Sequence, residues 1–292
     1  MSEDPFLAHR SLLFTVAYEM LGSASDAEDV VQETWLRWAS LDETERAEVH
    51  KARAYLVRIV TRLSLNRLRT LARQREDYVG QWLPEPLLTS PDVAEDVELA
   101  ESVSIAVLAV LETLLPTERA VFVLREVFDV PYDEIAEALD KSPAAVRQIA
   151  VRARKHVAAR RPRMSVSRTE QDQVVERFLA ALTTGDVPGL LKVLAPDVLV
   201  VGDGGGLAPT IPKPVRGAAK LVPVMASFAK LAPGAKAFIV ELNGGIAARI
   251  DPGGENDTAV SFVIENGRIT QIFAIRNPHK LGRLGEVAQL RR

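Results

Sequence analysis

The chain has 292 residues, 47% of them hydrophobic, and 36 Lys and Arg against 39 Asp and Glu, a net charge of −3. At roughly 150 residues per domain, that length predicts two or more domains with apolar content sufficient for real cores. Zero cysteines exclude disulfides, thiol nucleophiles and Cys-ligated zinc, and four scattered histidines offer no metal cluster. No run is long enough to span a bilayer and Met1–Arg10 carries no secretory pattern, so the expectation is a cytoplasmic protein with no cofactor and no membrane partner.

Charge is patterned along the chain. Residues 1–164 hold 21 Lys and Arg against 27 Asp and Glu, and residues 165–292 hold 15 against 12. Phe6 to Leu21 is predicted as an amphipathic helix closed by Gly22. Ser25 and Glu28 have capping-box spacing and predict the start of a second helix. Asp26, Glu28 and Asp29 crowd its first turn, where the helix dipole favours acids, but Glu33 and then Asp42, Glu43, Glu45 and Glu48 carry the acidity further. A solvated face and a surface for a basic partner both fit. The sign then flips, with eight basic residues and no acid from Lys51 to Arg75. Leu56, Ile59, Val60 and Leu63 keep helical period, so the segment is a folded helix. Arg58, Arg62, Asn66, Arg69 and Arg73 run along one side of it. Such a stripe repels itself on an isolated helix, and a polyanion would turn that repulsion into binding.

EDYVGQWLPEPLLTSPDVAEDVELAES follows. Its prolines and acids predict an extended connector. Trp82 and Leu83, before Pro84-Glu85-Pro86, form a stiff apolar cluster that a plain spacer does not need. Helix is predicted from Val93 to Leu114. Val130 to Lys155 then reads as two short helices and a tight turn. Pro131 suits the first turn of the first helix, and Ser142-Pro143 restarts helix as N-cap and first helical residue. Val146, Ile149, Ala150, Ala153 and Val157 share the inner face. Ala144, Arg147, Gln148, Val151, Arg152 and Lys155 share the outer one, with donors suited to phosphates and base edges. A plain helical hairpin with a solvated charged face is the competing reading.

DAEDVVQETW followed by YLVRIVTRLSLNRLR resembles the promoter-melting domain of the sigma-70 family. LPTERAVFVLREVFDVPYDEIAEALDKSPAAVRQIAVRARKHV resembles that family's second DNA-binding domain, and the two-domain layout resembles its extracytoplasmic-function (ECF) class. The resemblance covers residues 6–158. It implies that Asp26, Glu28, Asp29 and Glu33 face the clamp of core RNA polymerase. It places Arg62, Asn66 and Arg69 near the minus-ten promoter element, within the stripe that Arg58 and Arg73 complete. Arg147, Gln148, Arg152 and Lys155, with Ala144 and Val151 on the same face, fall near the minus-thirty-five element.

Beyond Arg163 the character changes. Gln171 to Thr184 and Val187 to Leu194 are predicted helices, Val198 to Val201 a strand, and Gly217 to Leu231 a third helix. Four strands then alternate with hairpins at Asn243-Gly244-Gly245 and Asn266-Gly267. This predicts an α+β domain of helices on a curved antiparallel sheet. FLAALTTGDVPGLLKVLAPDVLVVGDGGG resembles the SnoaL-like branch of the nuclear-transport-factor-two (NTF2) superfamily, whose sheet is cone-shaped. Joined to the helical module, it resembles ECF sigma factors of the sigma J-like type. WLPEPL at Trp82–Leu87, DGGG at Asp203, Gly204, Gly205 and Gly206, and NPHKL at Asn277, Pro278, His279, Lys280 and Leu281 carry that narrower match. The group usually has Asp where His279 stands and Lys where Leu207 stands, and Asn66 replaces a usual Asp.

The expected organisation is therefore a multidomain chain. It comprises an all-α domain at 1–78 for polymerase and the minus-ten element, a linker at 79–103, and a helix-turn-helix domain at 104–163. A SnoaL-like regulatory domain follows at 168–292. The expected function is promoter recognition and transcription initiation, with core RNA polymerase and promoter DNA as partners. A helix-turn-helix operator binder with a ligand-sensing C-terminal domain is the alternative, but it needs neither the acidic helix nor the basic stripe. Related sheets host isomerases, but fold alone does not license that step. Asp203 sits in a glycine turn where capping backbone N–H groups suffices, and His279 reads as a surface residue, so no catalytic residue is expected. A small-molecule ligand for the C-terminal domain stays open. The linker cluster and the two C-terminal motifs are expected to meet.

Overall fold

Helix α1 (Pro5–Leu21) starts where the Asp4 carboxylate accepts from the Phe6 N–H at 2.8 Å, and it ends at Gly22, whose φ of 67° only glycine adopts without strain. The computed structural model describes residues 4–161, 167–253 and 257–292, and within helix the side chains of Arg73 and Gln74 lie outside the described residues. Helix α2 (Ala24–Ala39) begins one residue before Ser25. Ser23 is its cap and accepts from the Asp26 N–H at 3.3 Å, because the chain is already extended there, directly after Gly22. Helix α3 (Glu43–Glu48) carries a reciprocal Asp42/Glu45 cap, and α4 (Ala52–Glu76) is a continuous helix of 25 residues.

The connector differs from the extended form its composition suggests. It holds a two-residue strand β1 (Leu88–Thr89) and two helical pieces, α5 (Pro91–Glu95) and α6 (Val97–Val103), and α7 (Ile105–Leu111) follows directly. Two polar residues break what the sequence predicts as one helix. Asp96 turns extended and its carboxylate accepts from the Leu99 N–H at 3.1 Å; Ser104 does the same for Val107 at 3.3 Å. Next come α8 (Pro116–Phe122), a π-helical turn at Val123–Val127, α9 (Tyr132–Leu139) and α10 (Pro143–Ala158). Pro131 stands just before α9 rather than inside its first turn. Asp140 closes α9 at a φ of 52°, and the Ser142 hydroxyl caps α10 by accepting from the Ala145 N–H at 3.2 Å.

The rest of the chain runs α11 (Arg168–Thr184), α12 (Val187–Val193), β2 (Leu194–Asp203), β3 (Val215–Arg216), α13 (Ala218–Leu231), β4 (Lys236–Leu242), β5 (Gly245–Asp251), β6 (Thr258–Glu265), β7 (Arg268–Ile275), a 3-10 turn at Pro278–Lys280, and β8 (Val287–Ala288).

These elements form two compact units. The helical unit takes residues 1–76, 108–161 and 289–292, and the sheet unit takes residues 77–107 and 162–288. In the helical unit, α1, α2 and α4 bury Leu13, Val16, Leu21, Val31, Leu56 and Val60 against one another. A polar joint lies beside this core. Arg119 of α8, only 2% exposed, donates to the Glu19 carbonyl at 2.9 Å and pairs with Glu112 at 2.7 Å. Arg75 pairs with the same carboxylate and donates to the Leu21 carbonyl at 2.8 Å. The Glu112 carboxylate thus bridges two guanidinium groups, and backbone carbonyls take further N–H groups of both.

The sheet unit is built on eight strands in the order β3-β2-β7-β6-β5-β4-β1-β8. The β4 to β7 meander is antiparallel, with left-handed Asn243-Gly244 and Asn266-Gly267 in its turns. Two pairings are parallel, β2 with β7 and β1 with β8. Helices α11, α12 and α13 cover one face through Val174, Phe178, Leu190 and Leu221, packed on Val200, Ile250, Val260 and Ile272. The segment expected to be a spacer thus enters this sheet as a strand.

Candidate nucleic-acid interface and linker-binding site

Helix α10 keeps Val146, Ile149, Ala150, Ala153 and Val157 buried, and leaves Ala144, Arg147, Gln148, Val151, Arg152 and Lys155 exposed as a single face. The period of 3.6 residues dictates that division. The Arg152 and Arg154 guanidinium groups stand 3.7 Å from Glu118 and Glu126, respectively. At that distance each is an ion pair without a hydrogen bond.

On α4 the basic stripe is not uniform. Arg62 is exposed and donates to the Ala138 and Glu137 carbonyls at 3.0 Å each, and Arg58 pairs with the Glu137 carboxylate. The unsatisfied carbonyls and negative dipole end of α9 attract such groups. Asn66 and Arg69 are exposed, and the Arg69 guanidinium donates to the Asn66 side-chain oxygen at 3.4 Å. Arg73 belongs to α4, with its side chain outside the described residues.

The acids of α2 separate in the same way. Asp29 and Glu33 are exposed, Glu33 with Arg37 at 2.8 Å, and Glu28 is half-buried against Arg10 at 2.7 Å. Asp26 corrects the expected polymerase face. It is buried and accepts from the Arg67 Nε at 2.7 Å, because its side chain turns inward toward α4.

In the sheet unit, the topology explains why the DGGG and NPHKL motifs come together. Strands β2 and β7 run parallel and end side by side, with Asp203 opposite Ile275. The Asp203 carbonyl therefore accepts from the N–H groups of Arg276 and Asn277, at 2.7 and 3.1 Å. The Asp203 carboxylate is fully buried. One oxygen accepts from the Tyr78 hydroxyl; the other accepts from the Leu83 N–H at 2.9 Å and Lys280 Nζ at 2.7 Å. Lys280 also donates to the Leu83 carbonyl at 2.6 Å, and its ammonium lies 3.3 Å from the centroid of the Trp82 ring. Tyr78 and Trp82 meet edge to face at 4.8 Å. The Asn277 amide donates to the Tyr78 hydroxyl at 2.8 Å. Burial, reinforced by the Asp203 carboxylate, pushes the Tyr78 phenol well above its ordinary pKa.

Gly205 makes room for this arrangement. Its φ is 59°, and a Cβ there would stand 2.4 Å from the Asn277 amide and 2.9 Å from the Tyr78 hydroxyl. Leu83, Pro84, Glu85, Pro86 and Leu87 are all buried, whereas Pro278 and His279 are exposed and Leu281 is half-exposed. Asp203 thus serves the linker rather than capping its own turn.

A second grip lies at the tip of the β4–β5 hairpin. Asn243 exchanges two hydrogen bonds with Leu87, each of 2.9 Å, and its amide donates to the Val103 carbonyl at 2.8 Å. The Gly244 N–H donates to the Thr89 hydroxyl at 2.9 Å. Sequence reasoning read Asn243 only as a turn former and passed over Tyr78. A tyrosine four residues before a tryptophan in an acidic connector was the available signal for the second.

The description "Sigma-70 region 2" matches residues 6–74, and "Sigma-70, region 4" matches residues 104–157. The chain is 38% identical to the ECF RNA polymerase sigma factor SigJ of Mycobacterium tuberculosis, over 96% of this chain and 93% of that protein. It is 34% identical to the probable ECF RNA polymerase sigma factor SigI of the same organism, over 65% and 66% of the two chains. The crystal structure of M. tuberculosis SigJ superposes with a TM-score of 0.76 at 35% identity, covering 96% of this chain and 98% of that one. The two sigma-70 region matches and the similarity to SigJ over 96% of this chain lead to one conclusion: the chain belongs to the ECF class of RNA polymerase sigma factors.

Proposed function

We propose that this sigma factor reads promoters through two surfaces while its sheet unit sets the conformation of the segment joining them. Arg62, Asn66 and Arg69, flanked by Arg58 and Arg73, take the minus-ten element. Arg147, Gln148, Arg152 and Lys155, with Ala144 and Val151, take the minus-thirty-five element. Glu28, Asp29 and Glu33 meet core polymerase, and the work is done in the cytoplasm. The corresponding parts are residues 1–78, 79–103, 104–163 and 168–292, with the boundary at Arg163 lying outside the described residues.

The observation that carries the regulatory part is the Asp203 and Lys280 pair closed on Leu83 and Trp82. A charge pair so placed is expensive to bury, and it is compensated only while the linker supplies its donor, its acceptor and its aromatic face. Asp203 is the carboxylate an enzyme reading would need, and its commitment to the linker supports a binding role. Run-off transcription with core polymerase tests the proposal on the full chain, on a chain ending before Asn277, and on a chain ending at Arg161. Altered initiation by the chain ending before Asn277 is expected; unaltered initiation by both shortened chains contradicts the proposal.

A further inference from the structure

Among the described residues, Arg147 differs from the other two arginines of α10, which pair with Glu118 and Glu126, in having no carboxylate or carbonyl partner. Its guanidinium faces the Tyr132 ring, whose centroid lies 5.6 Å from the guanidinium carbon. Tyr132 is the first residue of α9 and is half-buried. The Arg125 guanidinium lies 4.9 Å from the same centroid. Arg125 is itself fixed, since it pairs with Asp129 at 2.8 Å and donates to the Val130 carbonyl at 3.2 Å.

We propose that Tyr132 is a positioning residue for promoter recognition, holding Arg147 ready to donate to a base edge. An ion pair would hold an arginine by occupying its N–H groups. An aromatic ring attracts the cation by its quadrupole and leaves those five donors available. A long side chain restrained before it binds loses less rotamer freedom on binding. The Arg125 anchor matters because it fixes the ring from the side of the preceding turn. The class of ligand follows from the geometry: a planar fork at the N-terminal half of a recognition helix suits a guanine, through its O6 and N7 acceptors. The inference rests on the reading of α10 as the minus-thirty-five helix.

The test uses the full chain with core polymerase. Discrimination is the ratio of affinities for the intact upstream element and for duplexes altered one base pair at a time. It is measured for Arg147→Ala, Tyr132→Phe, Tyr132→Leu and the Tyr132→Leu/Arg147→Ala double variant. Arg147→Ala is expected to lose about 5- to 150-fold at one base pair. Tyr132→Leu keeps apolar volume and loses the ring, so about 2- to 5-fold should disappear at that same base pair. Tyr132→Phe keeps the ring and should retain discrimination, and the double variant should match Arg147→Ala. An equal loss for Tyr132→Leu with and without Arg147, a loss spread over all base pairs, or a failure of Tyr132→Phe to rescue overturns the positioning role. No effect of Arg147→Ala overturns the recognition reading first and the inference with it.

Discussion

Asp203 is a fully buried charge whose hydrogen-bond partners come from two distant stretches of the chain, Tyr78 and Leu83 on one side and Lys280 on the other. Removing one member leaves the other buried without compensation. Asp203→Ala is therefore expected to destabilise the sheet unit by roughly 3–5 kcal/mol, and the Asp203→Leu/Lys280→Met double variant by less than either single change. Denaturant unfolding of the set checks this. Tyr78 adds a pH dependence. Its folded pKa is raised, so the folded state holds the phenolic proton where the unfolded chain has begun to lose it. The contribution is complete below about pH 10 and falls as pH rises further. Tyr78→Phe should lose less stability than the native chain between pH 9 and pH 11, measured by thermal unfolding. The sequence reading already brought the motifs of Asp203 and Lys280 to the linker, but it did not show that these two residues meet it as one buried charge pair. That depends on strand pairing, which no local pattern encodes.

At the scale of elements, period and caps were legible and breaks were not. α1, α10 and the β4–β7 meander follow from spacing, from the Gly22 and Ser142 signals, and from the two Asn-Gly turns. The segment Val93 to Leu114 reads as continuous helix because its apolar period survives the interruptions at Asp96 and Ser104. Asp26 misled in a similar way. An acid in a first turn suits the dipole, and only the position of Arg67 on α4 shows that it turns inward. The contact between α4 and the end of α9 was also invisible, since residues 58 and 137 are far apart in sequence. It carries a prediction. Glu137→Gln frees Arg58 from an exposed pair worth about 0.2–1 kcal/mol, so free sigma factor should bind minus-ten single-stranded DNA up to about fivefold more tightly. Fluorescence anisotropy at fixed salt measures it.

For the whole molecule, the helical unit carries the surfaces proposed to read the promoter, and the sheet unit holds the linker cluster at both Leu83 and Leu87. The sequence pattern already separated the parts: acidic helix, basic stripe, proline-rich connector and an α+β domain. What it could not supply was that β1 and β8 add the connector and the tail to the same sheet, since two-residue strands leave no periodic trace. If this grip fixes the reach between the two DNA-binding surfaces, promoter spacing is where the effect appears. The decisive measurement is run-off transcription from promoters in which the distance between the two elements is varied one base pair at a time. The native chain is compared with Lys280→Met, with far-UV circular dichroism as the control for folding. The account predicts one sharp optimum for the native chain and a broadened or displaced one for Lys280→Met. Identical spacing profiles from the two folded proteins would contradict it.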